Sequence, residues 1–453
     1  MKFINVPKQD VPVAFDGDVV VTGGGPAGTA AAIQAGRRGA KVALLEQSGM
    51  LGGVATAGLM SHWTGETRGG IYEEILDKCE ILERRWNGRI FESDDSAAVP
   101  ASMGIHGERR QLINHKVLRT VLLDLCAEAK VEVRLYHFAA EPVLEGGTKP
   151  RVRGVFTQSK SGREVFLGKV TVDASGDGDI AAAAGVPYVK GREYDGKMQP
   201  MTDMLKVGGV DTTRVRYVPG FEESYPITAG DLQTVARTRI PYPAGHVLIY
   251  PTNLPGTVVL NMTNCTKVDG TVAADLTRAE TTCRSQLAAI IDFLRAEVPG
   301  FERAYLIQSS AMVGVRETRH FRGEATLTEG DILEGKVFDD WVVTRAHFNF
   351  DVHNLEGAGL DSTGVQKKFG QKRGYTIPYG CFVPVGVDGL LIAGRCISGT
   401  HMAHSSYRVM PICANMGQAV GVAAALAAAS GTEPRKLAVT DIQMILKSIG
   451  VEP

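Results

Sequence analysis

The stretch SGTHMAHSSYRVMP, running from Ser398 to Pro411, gathers His401, His404, Ser405, Tyr407 and Arg408 within a few positions of one another. Histidine is the side chain whose ordinary pKa suits proton transfer near neutrality. Arginine can fork onto a carboxylate or stabilise an enolate-like transition state. His404 and Arg408, followed by His401, are therefore the first candidates for acid/base and substrate-orienting roles, on what reads as a short glycine-containing loop. The competing reading is that the loop only hydrogen-bonds a bound ring and its own backbone. A second run, GVRETRHFRGE, crowds Arg316, Arg319, His320 and Arg322. Charge runs are more often solvated faces, but if this one lines a cavity the substrate is anionic or rich in hydroxyls. His62, His347 and His353 have no partner pattern and read as ordinary polar or core residues.

Groups of this kind need a scaffold and a redox or binding partner, and the other end of the chain supplies both. DVVVTGGGPAGTAAAIQAGRRGAKVALLE reads as strand, glycine turn, alanine-rich helix and second strand. Gly23 permits the tight turn, Gly25 lets a pyrophosphate approach the backbone, and Gly28 lets the helix pack close to the strand. Pro26 fits the first helical turn, where orphan amides and the helix dipole face the phosphates. Glu46 closes the second strand at the distance where an acid accepts ribose hydroxyls. An acid there, rather than an arginine, favours a free 2′-hydroxyl and hence FAD or NAD over NADP. The following QSGMLGGVATAGLM carries Gly52, Gly53, Ala55, Thr56 and Ala57, which suit a backbone lying against a large flat ligand. An NAD enzyme does not need this second loop.

Composition narrows the classes further. At 453 residues, 44% hydrophobic and 22% charged, the chain is long enough for two intergrown domains and is neither fibrous nor disordered. A formal net charge of -1 offers no basic field for nucleic acid. The start, MKFINVPKQDVPVAF, lacks a signal-peptide core, and the apolar run near Gly417 to Ala429 is shorter than a bilayer span. The expectation is a cytoplasmic protein without a membrane span. The seven cysteines are scattered without a Cys-x-x-Cys pair, so they read as reduced core thiols, with no metal site and no flavin-disulfide redox pair.

Taken together, GGGPAG…LLEQ…LGG, VDASGDGDIAAAAG and LLIAGRCISGTHMAHSSYRVMPICANMGQAVG resemble the FAD-dependent oxidoreductases of glutathione-reductase-like fold. More narrowly they resemble a bacterial family distantly related to the fumarate reductase and succinate dehydrogenase flavoproteins. The resemblance implies FAD held by Gly23, Gly25, Pro26, Ala27, Gly28, Glu46, Gln47, Gly52, Gly53 and Thr56. It further implies an adenine contact near Ala140, a turn under the nucleotide at Ala174 and Gly176, and a late turn at Gly394 and Arg395, where Arg395 replaces the relatives' acid. Backbone amides near Pro411 and Ile412 would face the flavin, whose reduced, negatively charged edge a helix N-terminus stabilises by about 0.3–2 kcal/mol. In the fumarate reductase relatives a similar His and Arg pair binds substrate just before this helix. His62 or His401 could in principle carry a covalent flavin link.

The turn Asp173-x-Ser175-x-Asp177-Gly178 imitates a calcium loop, but its twelfth position is Ala184 and a strand precedes it, so calcium is rejected. Asp177 or Asp179 is expected instead to cap a short helix, worth about 1 kcal/mol. The fold class expected is α/β: a Rossmann-like FAD/NAD(P)-binding domain of glutathione-reductase type with an inserted β-rich α+β substrate domain. Residues 1–187, including a β-meander over 151–175, and 376–453 form the nucleotide domain. Residues 188–375, with one helix in TRAETTCRSQLAAIIDFLRAEVPG, form the substrate domain. The functional expectation is hydride transfer between a small polar or anionic metabolite and flavin N5, with homo-oligomerisation left open. The alternatives are an NAD-linked dehydrogenase and a non-catalytic flavin-binding redox sensor or assembly protein.

Overall fold

Val19, Val20 and Val21 are buried on both faces of their strand, the pattern of a strand inside a parallel sheet covered on both sides. The computed structural model describes residues 10–87, 111–147, 149–218, 221, 223–362 and 373–453. Residues 1–9 of the stretch read for a leader, and 363–372 near the expected domain boundary, lie outside the described residues. In chain order the first part comprises β1 (Val13–Thr22), α1 (Pro26–Arg37), β2 (Val42–Glu46), α2 (Ile71–Asn87), α3 (His115–Glu128), β3 (Glu132–Leu135), β4 (Phe138–Glu145), β5 (Arg151–Ser159), β6 (Gly162–Asp173) and α4 (Asp179–Ala183). The middle adds β7 (Tyr188–Lys190), β8 (Leu205–Gly208), β9 (Pro226–Ile227), β10 (Gly230–Asp231), α5 (Leu232–Arg239), β11 (Ile249–Pro251), β12 (Val258–Leu260), α6 (Ala273–Ser285), α7 (Leu287–Glu297), β13 (Tyr305–Ser309), β14 (Arg319–Phe321), α8 (Glu329–Glu334), β15 (Trp341–Ala346) and β16 (Tyr375–Pro378). The last part is β17 (Leu390–Ile392), α9 (His401–Tyr407), α10 (Met410–Ser430) and α11 (Val439–Ser448).

The main sheet runs β3-β2-β1-β6-β5-β4, with β17 also on β6. β1 lies parallel to β2 and to β6, with Val19 opposite Val42 and Val170. The segment expected as a β-meander is therefore only partly one. The first half of β6 pairs antiparallel with β5, while its end pairs parallel with β17, Thr171 opposite Leu390. One strand thus belongs both to the meander and to the centre of the parallel sheet.

On one face α1 and α10 lie in backbone contact. A Cβ on Gly417 would fall 1.9 Å from the Ala27 carbonyl oxygen, and one on Gly421 would fall 2.2 Å from that of Ala31. Ala27 meets Gly417 and Ala31 meets Gly421, so the helices are parallel and both N-termini point the same way. At ~1.5 Å per residue, the seven positions from Met410 to Gly417 carry the start of α10 roughly 10 Å beyond that contact. With 21 residues, α10 exceeds the expected apolar run and has the length and composition of a membrane span, but 89% of its most apolar window is buried inside the protein.

A separate core packs on the antiparallel sheet β11-β12-β8-β13, with Leu232 of α5 and Ile290 and Leu294 of α7. Phe321, Leu327, Ile332, Trp341 to Val343 and Phe350 instead join the core of the main sheet, although the sequence groups them with the substrate domain. The single helix expected after Thr277 is two, α6 and α7. They meet at buried Gln286, whose side chain bonds both the amide and the carbonyl of Asn264 at 2.9 Å.

Candidate active site

The first turn is built as its glycines require. Gly23 has φ +90°, and a Cβ there would lie 2.4 Å from the Ala174 carbonyl oxygen. A Cβ on Gly28 would strike the Gly23 oxygen at 1.8 Å, which explains both glycines by close approach. At Gly25 a Cβ would meet nothing within 4 Å, so the space before α1 is open. Gly25 caps α1 without a side-chain hydrogen bond, and the first helical bond runs from Thr29 N to Gly25 O. Pro26 has no N–H, so Ala27 and Gly28 carry the free amides of that turn. Gly52 N bonds the Gly24 oxygen at 2.7 Å, and Gly53 lies against the Gly25 backbone. The second glycine loop therefore borders the same space.

Glu46 ends β2 at this turn, its Oε2 accepting from Gly24 N at 2.8 Å and its Oε1 from Ser48 N at 2.7 Å. A carboxylate oxygen has a further lone pair beyond each of these bonds. Gln47 is exposed. Thr56 is buried and gives its hydroxyl to the Leu51 oxygen at 2.6 Å, so it fixes the loop. Ala140 lies on β4, three positions after His137, whose amide bonds the Glu46 oxygen. Ala174 continues β6 beneath Gly23, its amide bonded to Thr22 O. Gly176, at φ +90°, leaves room for Arg395, which donates from Nη2 to Asp177 Oδ1 at 3.0 Å. Gly394, at φ +98°, faces Ala27.

The expected cap of α4 is corrected. Asp177 is taken by Arg395 and by Thr318 Oγ1 at 2.7 Å, and Asp179 by Arg319. Ser175 Oγ accepts from Asp179 N, and buried Asp173 accepts from Ala181 N at 2.8 Å. Asp173 also takes the Ser175 amide and hydroxyl, so its oxygens serve the internal structure of the turn.

The segment read as a catalytic loop is the short helix α9. Thr400 caps it by accepting from Ala403 N, a contact worth about 1 kcal/mol. Gly399, which suggested a loop, instead clears space: a Cβ there would lie 2.5 Å from the Tyr407 ring. Helical spacing of three and four then stacks His401, His404 and Arg408 along one side. The two histidines meet a residue that went unremarked in the sequence, Glu317. Its Oε1 accepts from His401 Nδ1 at 2.6 Å and from His320 Nε2 at 2.8 Å, and its Oε2 accepts from Gln199 N. His404 Nδ1 stands 4.0 Å from the same oxygen, and its ring meets His320 edge to face at 4.7 Å. An acid set between Arg316 and Arg319 was the available signal.

Burial opposes the charge on Glu317, but bonds from His320 and His401, with the charge of His401, hold its carboxyl well below the usual range. Burial would lower His401 too, yet the Glu317 hydrogen bond and charge raise it. His404 is pushed well below neutrality by burial and by His320. Donor atoms of Glu317, His320 and His404 lie within 4.8 Å of one another, a spacing a cation could use. Glu317 Oε1 already accepts two imidazole N–H bonds, however, so the set is a hydrogen-bond cluster as it stands.

Arg408 turns to Asp351, beside a neighbouring cleft that His353 lines. Its Nη2 donates to Asp351 O and Oδ2, both at 2.9 Å, while its buried Nε has no partner among the described residues. His353 Nε2 lies 3.5 Å from Asp351 Oδ2. Burial and Arg316 push His353 down to about 4, so a histidine read as ordinary belongs to this site. Arg316 and His353 line a cleft of about 280 Å³, counted to its mouth, with Phe221, His246, Asn261 and Asn264. Of the second basic run, Arg316 reaches the cleft, His320 the Glu317 cluster, and Arg319 the turn at Asp177.

At α10, Val409 caps without a side-chain bond and Cys413 N makes the first helical bond, to Val409 O. Pro411 cannot donate, so the free amides near it are those of Met410 and Ile412. A family model described as FAD dependent oxidoreductase matches residues 18–446. This chain belongs to that family. No curated protein matches the flavoprotein significantly. Among solved structures it is similar to a geranylgeranyl bacteriochlorophyll reductase-like protein from Thermoplasma acidophilum, at 13% identity and TM-score 0.48, covering 95% of this chain and 83% of that one. It is also similar to the flavin-dependent brominase Bmp2 (14%, 0.47, 95% and 83%) and to the myxobacterial chondrochloren halogenase CndH (13%, 0.44, 95% and 78%). At these scores the likenesses carry no argument about chemistry. FAD is the cofactor of the flavoprotein, and its residues fit that group: two parallel helices offer uncapped N-termini without an acid in either first turn, and the space before Gly25 is open.

Proposed function

We propose that this FAD-dependent oxidoreductase moves a hydride between a C–H bond of a small polar or anionic metabolite and the flavin. The observation that carries the reading is the stacking of His401, His404 and Arg408 on α9 immediately before the free amides of α10. When bound, FAD supplies the two-electron acceptor or donor. Ala27 and Gly28 N–H groups would hold its phosphates, Glu46 its ribose, and Met410 and Ile412 N–H groups its flavin end.

His404 is the proposed acid/base. It is neutral at pH 7, the form that takes a proton as the substrate loses hydride, which favours the oxidising direction. His401, whose hold on a proton Glu317 strengthens, ranks behind it. Arg408, braced by Asp351, orients the substrate with the nitrogen left over. The finer architecture we propose is a doubly wound nucleotide domain of glutathione-reductase type, with the β11-β12-β8-β13 layer as an inserted substrate domain. The proposed setting is the bacterial cytoplasm, with a small molecule rather than nucleic acid or membrane as partner. The family match takes the place of the NAD-linked alternative.

Anaerobic mixing of the purified FAD-loaded protein with hydroxy acids, sugars and unsaturated acids tests this reading. One of them should bleach the flavin, and His404→Gln should stop the bleaching while FAD stays bound. Retained bleaching would dismiss His404, and no bleaching by any metabolite would favour a redox sensor.

A further inference from the structure

Arg316 lines the cleft, and Arg408 lies near enough for its charge to act on the Arg316 guanidinium. Burial and then Arg408 pull Arg316 down to about 10. Buried charge is tolerated when it is paired. The carboxylate acting on both guanidiniums is Asp351; its Oδ2 accepts from Arg408 Nη2, which also donates to the Asp351 backbone carbonyl. Among the described residues Arg316 has only neutral oxygens as hydrogen-bond partners: Nη1 donates to Pro200 O and Thr202 Oγ1, both at 2.6 Å, and Nη2 has a stretched 3.5 Å contact with Asn261 Oδ1. The two short bonds fix the guanidinium plane and leave Nη2 weakly engaged at the cleft. His353, which also lines the cleft, is neutral at pH 7, so among the described residues Asp351 is the one carboxylate set against the guanidiniums of Arg316 and Arg408.

We propose that Arg316 anchors a carboxylate of a small ligand in this cleft, making the ligand an organic acid. The planar fork matches a carboxylate better than a lysine would. Phe221, stacked on His246 at 4.8 Å, with Leu248 and Met262, gives one part of the cleft apolar atoms for a short carbon chain, beside the polar Thr202, Thr263 and Asn264. Identifying this acid with the substrate rests on the proposed hydride transfer; the anchor itself does not.

The test separates the two. FAD-loaded protein is titrated with acetate, succinate and 2-hydroxyisobutyrate, the last a hydroxy acid with no C–H on its carbinol carbon. The neutral amide of 2-hydroxyisobutyrate and inorganic phosphate are run alongside, with binding read by calorimetry. At least one acid should bind, and 2-hydroxyisobutyrate should bind at least about tenfold more tightly than its amide. Arg316→Gln should weaken acid binding by about 10- to 100-fold, with Arg316→Lys between it and the native protein. Native FAD content in both variants shows that the fold is kept. No binding by any acid, equal binding of the amide, tighter binding of phosphate, or an unchanged affinity in Arg316→Gln would each overturn the anchor. Acids that bind while none of the oxidisable acids bleaches the flavin would overturn hydride transfer and leave the anchor standing.

Discussion

Gly417 of α10 rests on the carbonyl of Ala27 in α1, so closely that a Cβ would lie 1.9 Å from that oxygen. Glycine inside a helix costs up to about 1 kcal/mol relative to alanine, and here it lets two parallel backbones touch. Because Ala27 is also one of the free amides at the start of α1, this contact fixes where one helix N-terminus stands relative to the other. Gly417→Val should therefore part the helices. We expect destabilisation of at least about 1–3 kcal/mol by chemical denaturation, together with loss of FAD on gel filtration.

Gly25 gives the complementary test. Its φ is -69°, and a Cβ there would meet nothing within 4 Å, so Gly25→Ala should change the stability of the FAD-free protein by less than about 0.5 kcal/mol. The methyl group would occupy the space where a pyrophosphate approaches. Fluorescence titration should show FAD affinity lowered by at least about tenfold. A destabilised FAD-free protein with native affinity would assign Gly25 to folding instead.

Glu317 holds His401 and His320 through one oxygen. Glu317→Gln removes the charge but keeps the shape. His401, raised mainly through that carboxylate against the pull of burial, should then titrate at lower pH, read by nitrogen-15 histidine spectra. Removing one member of a buried charged set typically costs about 3–5 kcal/mol, so the melting temperature should fall as well. An unchanged His401 titration would show that Glu317 does not set its protonation.

The buried histidines also predict how stability depends on acid. Burial lowers His62 to about 3, and His246 and His353 to about 4, while His404 is well below neutrality. Each binds a proton more readily when unfolded than when folded. Their contribution is full above the unfolded value of about 6.5 and is lost as pH falls toward the folded values, at up to about 1.4 kcal/mol per pH unit for each group. His401 works the other way, since its raised value favours the fold below about pH 6.5 and is lost as pH rises through the folded value. Denaturant midpoints between pH 4 and 7 should thus rise with pH, and His353→Asn should flatten the slope. A slope unchanged by that substitution would contradict the assignment.

Local chemistry made part of this legible in the sequence. The turn from Gly23 to Gly28 and the acid at Glu46 are set by contacts within about two dozen positions, so their spacing reveals them. Gly399 misled because a glycine that clears an aromatic ring looks the same in sequence as one that opens a loop. The role of Glu317 was not legible because His401 lies 84 positions away, nor that of His353, because Arg316 and Arg408 reach it and its near neighbour Asp351 only through tertiary packing. β6 could not be read as both meander and central strand, since only its partners on either side distinguish the roles.

A crystal structure of the FAD-loaded protein tests the central claim most directly. The account predicts the pyrophosphate within hydrogen-bond distance of the Ala27 and Gly28 amides, and the flavin against the Met410 and Ile412 amides with His404 on its substrate side. A flavin ring lying away from the start of α10, or phosphates that leave the Gly25 turn empty, would contradict it.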